Sequence, residues 1–268
     1  MELLTPGLLT VMAVAFAVGI GAVLLLWLIS IPIRDASIID MFFAVILMAI
    51  TAACLLLGDG STERKGLIAA MVGLWGVRIT WHLIRRNWGH GEDPRYTKLR
   101  SWVPDDRSFN LLALRQVFLL QGIVLWFVSL PIQFAAAQAA PAPGLLAWAG
   151  VALWALGFTV EWVADVQLRR FRADPSRAGT VLNTGLWRYS RHPNYFGELC
   201  VWWGIFLVAA EVPLGWLTVI GPIVYSYLVI NVTGQRTLDK KLAREKPGYR
   251  AYMECTSGLV PWPPRRRS

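Results

Sequence analysis

Long apolar runs recur along this chain, and they restrict its fold more than any other feature. Seven stretches qualify, at residues 7 to 31, 38 to 58, 66 to 84, 111 to 133, 144 to 164, 196 to 210 and 212 to 231. A helix needs about 20 apolar residues to cross the hydrocarbon core of a bilayer. The runs therefore predict an integral membrane protein with about seven transmembrane helices, of which the sixth is the shortest.

The composition agrees with this class of protein. Hydrophobic residues make up 56% of the chain, and its mean hydropathy is +0.48. Backbone groups inside lipid must be hydrogen-bonded internally, and the alternating segments of a membrane-spanning barrel are missing from this sequence. We also find no internal repeat and no loop long enough for a soluble domain. The sequence predicts an all-α protein in which residues 1 to 268 form a single transmembrane bundle.

The distribution of charge predicts how this bundle is oriented. Basic residues crowd into 85 to 107, into 169 to 191 and into the tail from 236 to 267, whereas 134 to 143 contain none. By the positive-inside rule the basic regions are cytoplasmic, which places the N-terminus outside and the C-terminus in the cytoplasm. The first cation is Arg34, so the first apolar run is expected to stay attached as an anchor. Contact with anionic membrane lipid accounts for the terminal Arg265, Arg266 and Arg267, whereas nucleic acid is a poor explanation for the basic regions because they adjoin apolar spans.

Charged side chains in the fifth apolar run share one helix face. Glu161, Asp165, Arg169 and Arg172 follow each other at intervals of four, four and three residues in FTVEWVADVQLRRFR. Acidic groups at this depth must face protein or water, which favours a functional site. A salt-bridge ladder within the helix is the alternative.

The third run has a similar pattern. Arg78, His82 and Arg85 are spaced by four and three residues, and they predict one wall of a polar cavity. Arg78 alone is also close enough to the end of the run to extend its side chain to the interface.

The stretch GLWRYSRHPNYFGEL, residues 185 to 199, carries polar groups at the start of another apolar run. Arginines match phosphate oxygens, acids accept from ribose hydroxyls, and flat rings stack on bases. We therefore expect a large anionic cofactor, contacted from this stretch by Tyr189, Arg191, His192, Asn194, Tyr195 and Glu198. No glycine-rich phosphate loop exists, so the site is not a Rossmann site. A plain helix start at His192-Pro193 is the alternative. The three cysteines are scattered, and we expect neither a disulfide nor a metal site.

These segments resemble the C-terminal domain of membrane steroid 5α-reductases and their uncharacterised bacterial relatives. The resemblance is carried by TGLWRYSRHPNYFGE (184 to 198), EWVADVQLRRFR (161 to 172) and WGVRITWHLIRRNWGHGEDPRY (75 to 96). It implies a seven-helix enzyme that binds NADPH from the cytoplasm and transfers hydride to the β-carbon of a 3-oxo-Δ4 steroid or a similar apolar enone, which enters from the bilayer. Residues 161 to 268 would be the cofactor-binding half.

Individual positions follow from the resemblance. It implies cofactor contacts at Arg78, Asp165, Arg169, Arg172, Tyr189, Asn194 and Glu198, and the fifth-run face adds Glu161. The family's ketone-binding glutamate and tyrosine are not matched, because the nearest acid is Asp40 and Trp75 stands at the tyrosine position. We expect Asp40 at the ketone with Trp75 or Tyr96. Either a protonated Asp40 donates to the ketone, or another group such as Tyr96 does.

Two other function classes compete with this interpretation. Isoprenylcysteine carboxyl methyltransferases also carry an Arg-His-Pro-x-Tyr motif before a helix, and they bind S-adenosylmethionine. The number of arginines favours the reductase, since a sulfonium cofactor has no phosphates to neutralise. A lipid transporter or assembly factor is the non-enzymatic alternative, distinguished by the absence of nucleotide binding.

Overall fold

The structure, a computed structural model, describes residues 5 to 232 and 234 to 265. Over these residues the chain is helical and contains no β-strand. Six helical segments are long and apolar enough to cross a membrane, namely Pro6–Ile33 (α1), Ile38–Leu57 (α2), Thr62–Asn87 (α3), Asp106–Val128, Leu145–Ala173 and Gly215–Glu245. The expectation of an all-α integral membrane protein is confirmed. Its orientation in the membrane stays a prediction.

Two predicted spans differ from the observed helices. The run 111 to 133 is not one helix, because the segment Asp106–Val128 ends and a separate helix, Leu130–Ala137, begins around Pro131. Proline lacks the N–H that a continuing helix would need. The run 196 to 210 forms the helix Pro193–Ala209, whose 17 residues make it shorter than the six spanning segments.

The remaining helices complete the chain order. The short Pro94–Arg100 is α4, Asp106–Val128 is α5, Leu130–Ala137 is α6, Leu145–Ala173 is α7 and Pro193–Ala209 is α8. After a 3₁₀ turn at Gly215–Val219, α9 spans Ile220–Tyr227 and continues as a π-helical turn to Val232. The C-terminal segment, residues 235 to 265, is called the tail; it contains α10, Gln235–Glu245, and α11, Tyr249–Cys255. The break between these two helices includes Pro247 and Gly248.

Local signals explain where several helices begin. Thr5 caps α1, with Pro6 in the first turn, and Ser61 caps α3 through its hydroxyl. Asp93 caps α4 in the same way. Each of these side-chain oxygens accepts a hydrogen bond from a backbone N–H that has no partner within the helix.

The chain divides into two compact units. The first comprises the residues up to Ala147 together with Val208–Gly221, and the second comprises Trp148–Leu207 together with the residues from Pro222 onward. The predicted cofactor-binding half, 161 to 268, lies mainly in the second unit.

In the first unit, α1 packs against α2 and α5, and α2 packs against α3. All eight residues of α6 are buried. The turn after α2 runs directly against α6, where the N–H of Gly60 donates to the carbonyl of Ala136 at 2.8 Å. A Cβ at Gly58 would lie 2.1 Å from the same oxygen, so this turn requires glycine.

A buried ion pair closes one end of the first unit. Arg64, at 1% exposure, donates to the carbonyl of Val208 at 2.6 Å and to Glu211 at 3.2 Å. Glu211 in turn accepts from the N–H groups of Gly144 and Ala147, both at 2.9 Å. Burial by itself would raise the pKa of Glu211, but these hydrogen bonds and the Arg64 guanidinium outweigh it and lower the pKa.

In the second unit, α7 and α8 cross with their backbones in close contact. A Cβ at Gly197 would lie 2.5 Å from the carbonyl oxygen of Gly157, and a Cβ at Gly204 would lie 2.6 Å from that of Gly150. The two glycines of each helix are seven residues apart, so they lie on one helix face. Small residues permit this close approach, as at many membrane helix interfaces. The polar residues that follow Gly157 and precede Gly197 are thereby brought together.

Candidate functional site

The inward face of α7 carries the two carboxylates predicted from the sequence. Glu161 is 2% exposed and Asp165 is 5% exposed, whereas Arg169 and Arg172 are exposed on the last turns of the helix. The expected division along α7, with acids deeper than arginines, is therefore present. Asp165 and Glu161 lie one turn apart and next to the crossing with α8.

Asn194, in the first turn of α8, contacts this acidic face. Its Nδ2 donates a hydrogen bond to Oδ1 of Asp165 at 3.2 Å. Its other amide atom, Oδ1, is buried and has no hydrogen-bond partner within residues 5 to 232 and 234 to 265. A buried acceptor without a partner carries a desolvation cost of about 1–3 kcal/mol, which a ligand N–H or O–H would relieve.

One turn further along α8, Glu198 accepts a hydrogen bond from the hydroxyl of Tyr225. Tyr225 is buried, and it belongs to α9. Tyr225 is not among the site residues predicted from the sequence. Its hydroxyl was nevertheless a usable signal, because a hydroxyl within the apolar run 212 to 231 has no water around it and needs a partner in the protein. Glu198 is fixed by this tyrosine from a third helix.

The stretch before α8 is anchored to α7 by its own side chains. We call residues 184 to 198 the motif segment. The indole Nε1 of Trp187 donates to the carbonyl of Ala164 at 3.1 Å, and the N–H of Leu186 donates to Gln167 at 3.0 Å. Trp187 is buried with Phe171 and Leu182 in a small apolar cluster. The motif segment is therefore held against the same turns of α7 that carry Asp165 and Arg169.

A buried carboxylate from the tail engages the two basic residues of the motif segment. Asp239 on α10 accepts from Nη2 of Arg191 and from Nε2 of His192, both at 2.8 Å. The hydroxyl of Tyr249 donates to the same carboxylate at 2.6 Å. Arg191 also donates to the carbonyls of Met253 and Thr256. Sequence analysis missed Asp239, because nothing near it in the sequence marks a charge at position 239 as buried.

These contacts define what Arg191 and His192 do in the structure. The guanidinium of Arg191 is bonded along both edges by protein acceptors, and the ring of His192 also stacks on Tyr195 with centroids 5.3 Å apart. Burial, followed by the hydrogen bond to Asp239, raises the pKa of Tyr249 well above its usual range, so its hydroxyl remains a donor. Arg191 and His192 therefore fasten the tail to the motif segment. Their predicted contact with a cofactor stays a prediction.

The rest of the tail is pinned to the motif segment through the backbone. The hydroxyl of Ser190 donates to the carbonyl of Leu259 at 2.7 Å, and the N–H of Arg191 donates to the carbonyl of Ser257 at 2.9 Å. In the other direction, the N–H of Trp262 donates to the carbonyl of Tyr189 at 2.9 Å. The ring of Tyr189 is 43% exposed. These bonds hold the C-terminal segment against the motif segment.

The predicted ketone-binding residues lie in the first unit, and two of them are in contact. The hydroxyl of Tyr96 on α4 donates to Oδ1 of Asp40 at 3.0 Å, and Arg95 donates to Oδ2 of Asp40 at 2.7 Å. Burial, followed by the Asp40 charge, raises the pKa of Tyr96 well above its usual range. Trp75 is fully buried and packs edge-on against Phe43, with the two ring centroids 6.0 Å apart.

A second set of ion pairs fixes α4 beside the start of α2. Glu92 accepts from the N–H of Ala36 at 2.9 Å, and Arg100 donates to both oxygens of Glu92 at 2.9 and 3.1 Å. The N–H of Asp93 donates to the hydroxyl of Ser37 at 3.3 Å. Because Ser37 precedes α2, this network sets the position of Tyr96 relative to Asp40. Nothing in the spacing of Glu92, Asp93 and Arg95 along the sequence indicates these partners.

Arg78 and His82 lie on α3, where both are partly buried. Within residues 5 to 232 and 234 to 265, no three histidine, cysteine or acidic side chains are grouped in a way that could hold a metal ion.

Comparison with known proteins gives two matches. The model of the family described as "Protein of unknown function (DUF1295)" matches residues 26 to 256. The fission yeast Schizosaccharomyces pombe has an "Uncharacterized protein C594.04c" that is 26% identical over an alignment of 266 positions; the alignment covers 88% of this chain and 75% of the yeast protein. No solved structure matches the chain at a significant level.

Proposed function

The chain belongs to the DUF1295 family, and from this premise we propose that it is an NADPH-dependent membrane reductase. Its substrate is an apolar conjugated ketone, such as a 3-oxo-Δ4 steroid, whose carbon–carbon double bond is reduced. The observation that carries the proposal is the buried, unpartnered Oδ1 of Asn194 beside the Asp165 carboxylate. The resemblance of the motif segment and α7 to steroid 5α-reductases supplies the reaction type.

The polar groups around Asn194 fit a nicotinamide dinucleotide. A carboxamide or ribose presents N–H and O–H groups, and Asp165 and Oδ1 of Asn194 offer two acceptors side by side. The orientation of the Asn194 amide follows from chemistry, since a flipped amide would place its oxygen against the Asp165 carboxylate. Arg169 and Arg172, exposed one and two turns further along α7, are suited to phosphate oxygens. When bound, NADPH supplies a hydride for the β-carbon of the enone.

Two groups hold the proposed cofactor-binding residues in place. Tyr225 holds Glu198 one turn from Asn194, and the Asp239 carboxylate holds Arg191 and His192. In this proposal Tyr225 and Asp239 are positioning residues. They keep the start of α8 in one conformation, so that the Asn194 amide is presented to the ligand without further ordering.

The pair Asp40 and Tyr96 supports one of the two sequence alternatives for the ketone. Arg95 donates to one oxygen of Asp40 at 2.7 Å and Tyr96 donates to the other at 3.0 Å, so in this arrangement both oxygens of Asp40 act as acceptors. The raised pKa of Tyr96 keeps its hydroxyl protonated, and in this proposal a bound ketone oxygen replaces Asp40 as the acceptor of that hydroxyl. Such a donor stabilises the negative charge that develops on oxygen during hydride addition. Trp75 then contributes packing against Phe43 rather than a proton.

Ligand-dependent melting of the detergent-purified protein tests the proposal. A ligand that binds only the folded state stabilises it by about 2.7 kcal/mol at a hundredfold excess over Kd. We expect NADPH to raise the melting temperature and S-adenosylmethionine to leave it unchanged. Asn194→Ala should reduce the NADPH effect, while the unliganded protein loses only the hydrogen bond from Nδ2 to Asp165, which contributes about 0.5–1.5 kcal/mol.

The alternatives give different results in the same experiment. If S-adenosylmethionine raises the melting temperature and NADPH does not, the result would support a methyltransferase of the isoprenylcysteine carboxyl type instead of the reductase. Indifference to both ligands would favour the transporter or assembly factor.

A further inference from the structure

The second unit contains a cavity that the proposed function does not use. Its volume is about 640 Å³, and it lies between the loop that follows α7 and the C-terminal segment. Thr180 and Arg188 line it on the loop side, and Gly248, Ala251 and Cys255 line it on the tail side. Pockets for small organic ligands have volumes of about 300–1,000 Å³, so this one is large enough for more than a simple ion.

The charge of the cavity is positive. Arg188 is exposed and forms no ion pair within residues 5 to 232 and 234 to 265, and no carboxylate lines the cavity. A second cation adjoins the wall, because Nζ of Lys246 donates to the carbonyl of Thr180 at 3.1 Å. By contrast, the neighbouring Arg191 is neutralised by Asp239. An unpaired guanidinium with no acid beside it favours an anion with two or more acceptor oxygens.

The rest of the lining favours an organic group attached to that anion. Val181, Pro247 and Ala251 contribute apolar surface. Gly179 and Gly248 have positive φ angles of 77° and 79°, and a Cβ built at either meets no atom within 4 Å. The backbone therefore stays open to a ligand on both sides of the cavity.

From this combination we propose that the cavity binds a phosphate ester, with its phosphate at Arg188 and its organic group against the apolar wall. Two sources share this chemistry. One is the phosphorylated nucleoside end of a dinucleotide, and this source rests on the proposed function. The other is the headgroup region of an anionic phospholipid, and it does not depend on the reductase activity.

Cys255 provides a direct readout, because it lines the cavity and is partly exposed while Cys54 and Cys200 are buried. The experiment measures the rate at which a maleimide alkylates Cys255 in the detergent-purified full-length protein. The probes are 2′,5′-ADP and phosphatidic acid in mixed micelles. Adenosine and diacylglycerol are the matched probes without phosphate. Cys255→Ser gives the background rate.

We expect a phosphate-bearing probe to slow alkylation by about tenfold at ten times its Kd, since occupancy then leaves about one site in eleven open. Arg188→Gln should abolish this protection. Arg250→Gln should keep it, because Arg250 lies on the same helix as Cys255 but does not line the cavity.

The outcomes separate the two proposals. Protection by 2′,5′-ADP alone supports the cavity with a nucleotide source, and protection by phosphatidic acid alone supports it with a lipid source. If neither slows alkylation, or if adenosine and diacylglycerol protect equally, the cavity proposal is overturned even where NADPH raises the melting temperature. If NADPH fails to raise it while phosphatidic acid still protects Cys255, the reductase fails and the cavity stands.

Discussion

Nε2 of His192 lies 2.8 Å from a carboxylate oxygen of Asp239, which joins the motif segment to a helix 47 residues further along the chain. The same carboxylate binds Arg191 and Tyr249, so four side chains share one buried charge cluster. Removing one member of a buried ion pair leaves its partner uncompensated. The C-terminal segment is therefore held in place by a contact that tolerates little change.

Asp239→Asn should detach the C-terminal segment from the motif segment. Loss of a buried partner costs about 3–5 kcal/mol, so we expect a lower melting temperature and faster proteolysis within residues 235 to 265. Limited proteolysis followed by mass spectrometry measures this. Lys240→Gln, an exposed neighbour on the same helix, is the control. Equal protease resistance of both variants would show that the backbone bonds alone hold the tail.

Asp165 and Arg172 test whether the polar face of α7 serves a ligand. Replacing either with alanine should weaken NADPH affinity far more than it lowers protein yield or helicity, because both are proposed to contact the cofactor. Isothermal titration and circular dichroism of the purified variants measure the two effects. A loss of folding in the unliganded protein that matches the loss of affinity would support the salt-bridge ladder instead.

Gly197→Ala tests the close crossing of α7 and α8. The added Cβ would lie 2.5 Å from the backbone N of Glu161, which neither helix can relieve by moving a side chain. Overpacking of this kind costs about 1–3 kcal/mol, and the shift would also displace Asn194, one turn earlier. Thermal unfolding in detergent measures the loss. Gly66→Ala on α3, where a Cβ meets nothing within 4 Å, should be neutral or stabilising.

The Arg64–Glu211 pair should make stability depend on acid. The pKa of Glu211 is lowered in the folded protein, so its contribution is fully present above the ordinary value of 4.5 and is lost as the pH falls through the lower folded value. The melting temperature of the wild type should therefore fall more steeply below pH 4.5 than that of Glu211→Gln. Parallel curves for the two proteins would remove this role from Glu211.

Tyr96→Phe tests the donor at the ketone. Without the hydroxyl, turnover of a 3-oxo-Δ4 steroid should fall by about 10²–10⁴-fold, the usual contribution of a positioned acid. The NADPH-dependent melting shift should persist, since Tyr96 is not proposed to contact the cofactor. Asp40→Asn keeps an acceptor for Tyr96 and should lose less activity than Tyr96→Phe. The reverse order would make Asp40 the donor.

Local patterns in the sequence were sufficient for much of this protein. Apolar runs of sufficient length predict membrane helices because an isolated helix satisfies its own backbone in lipid, whatever it packs against. The intervals between Glu161, Asp165 and Arg169 likewise determine a shared helix face. The break between α10 and α11 at Pro247-Gly248 follows from the N–H that proline lacks.

Partners distant in sequence were decided only by the tertiary structure. Asp239 carries no local sign of its role, because burial of a carboxylate depends on which helices pack around it. The hydroxyl of Tyr225 in an apolar run indicates that it needs a partner, but the identity of that partner depends on the same packing. The same holds for Tyr96 and Asp40, brought together by Glu92, Arg100 and Ser37 rather than by spacing. A helix period fixes which side chains share a face, whereas the neighbour that this face meets depends on how closely the helices approach, here through the glycines of α7 and α8.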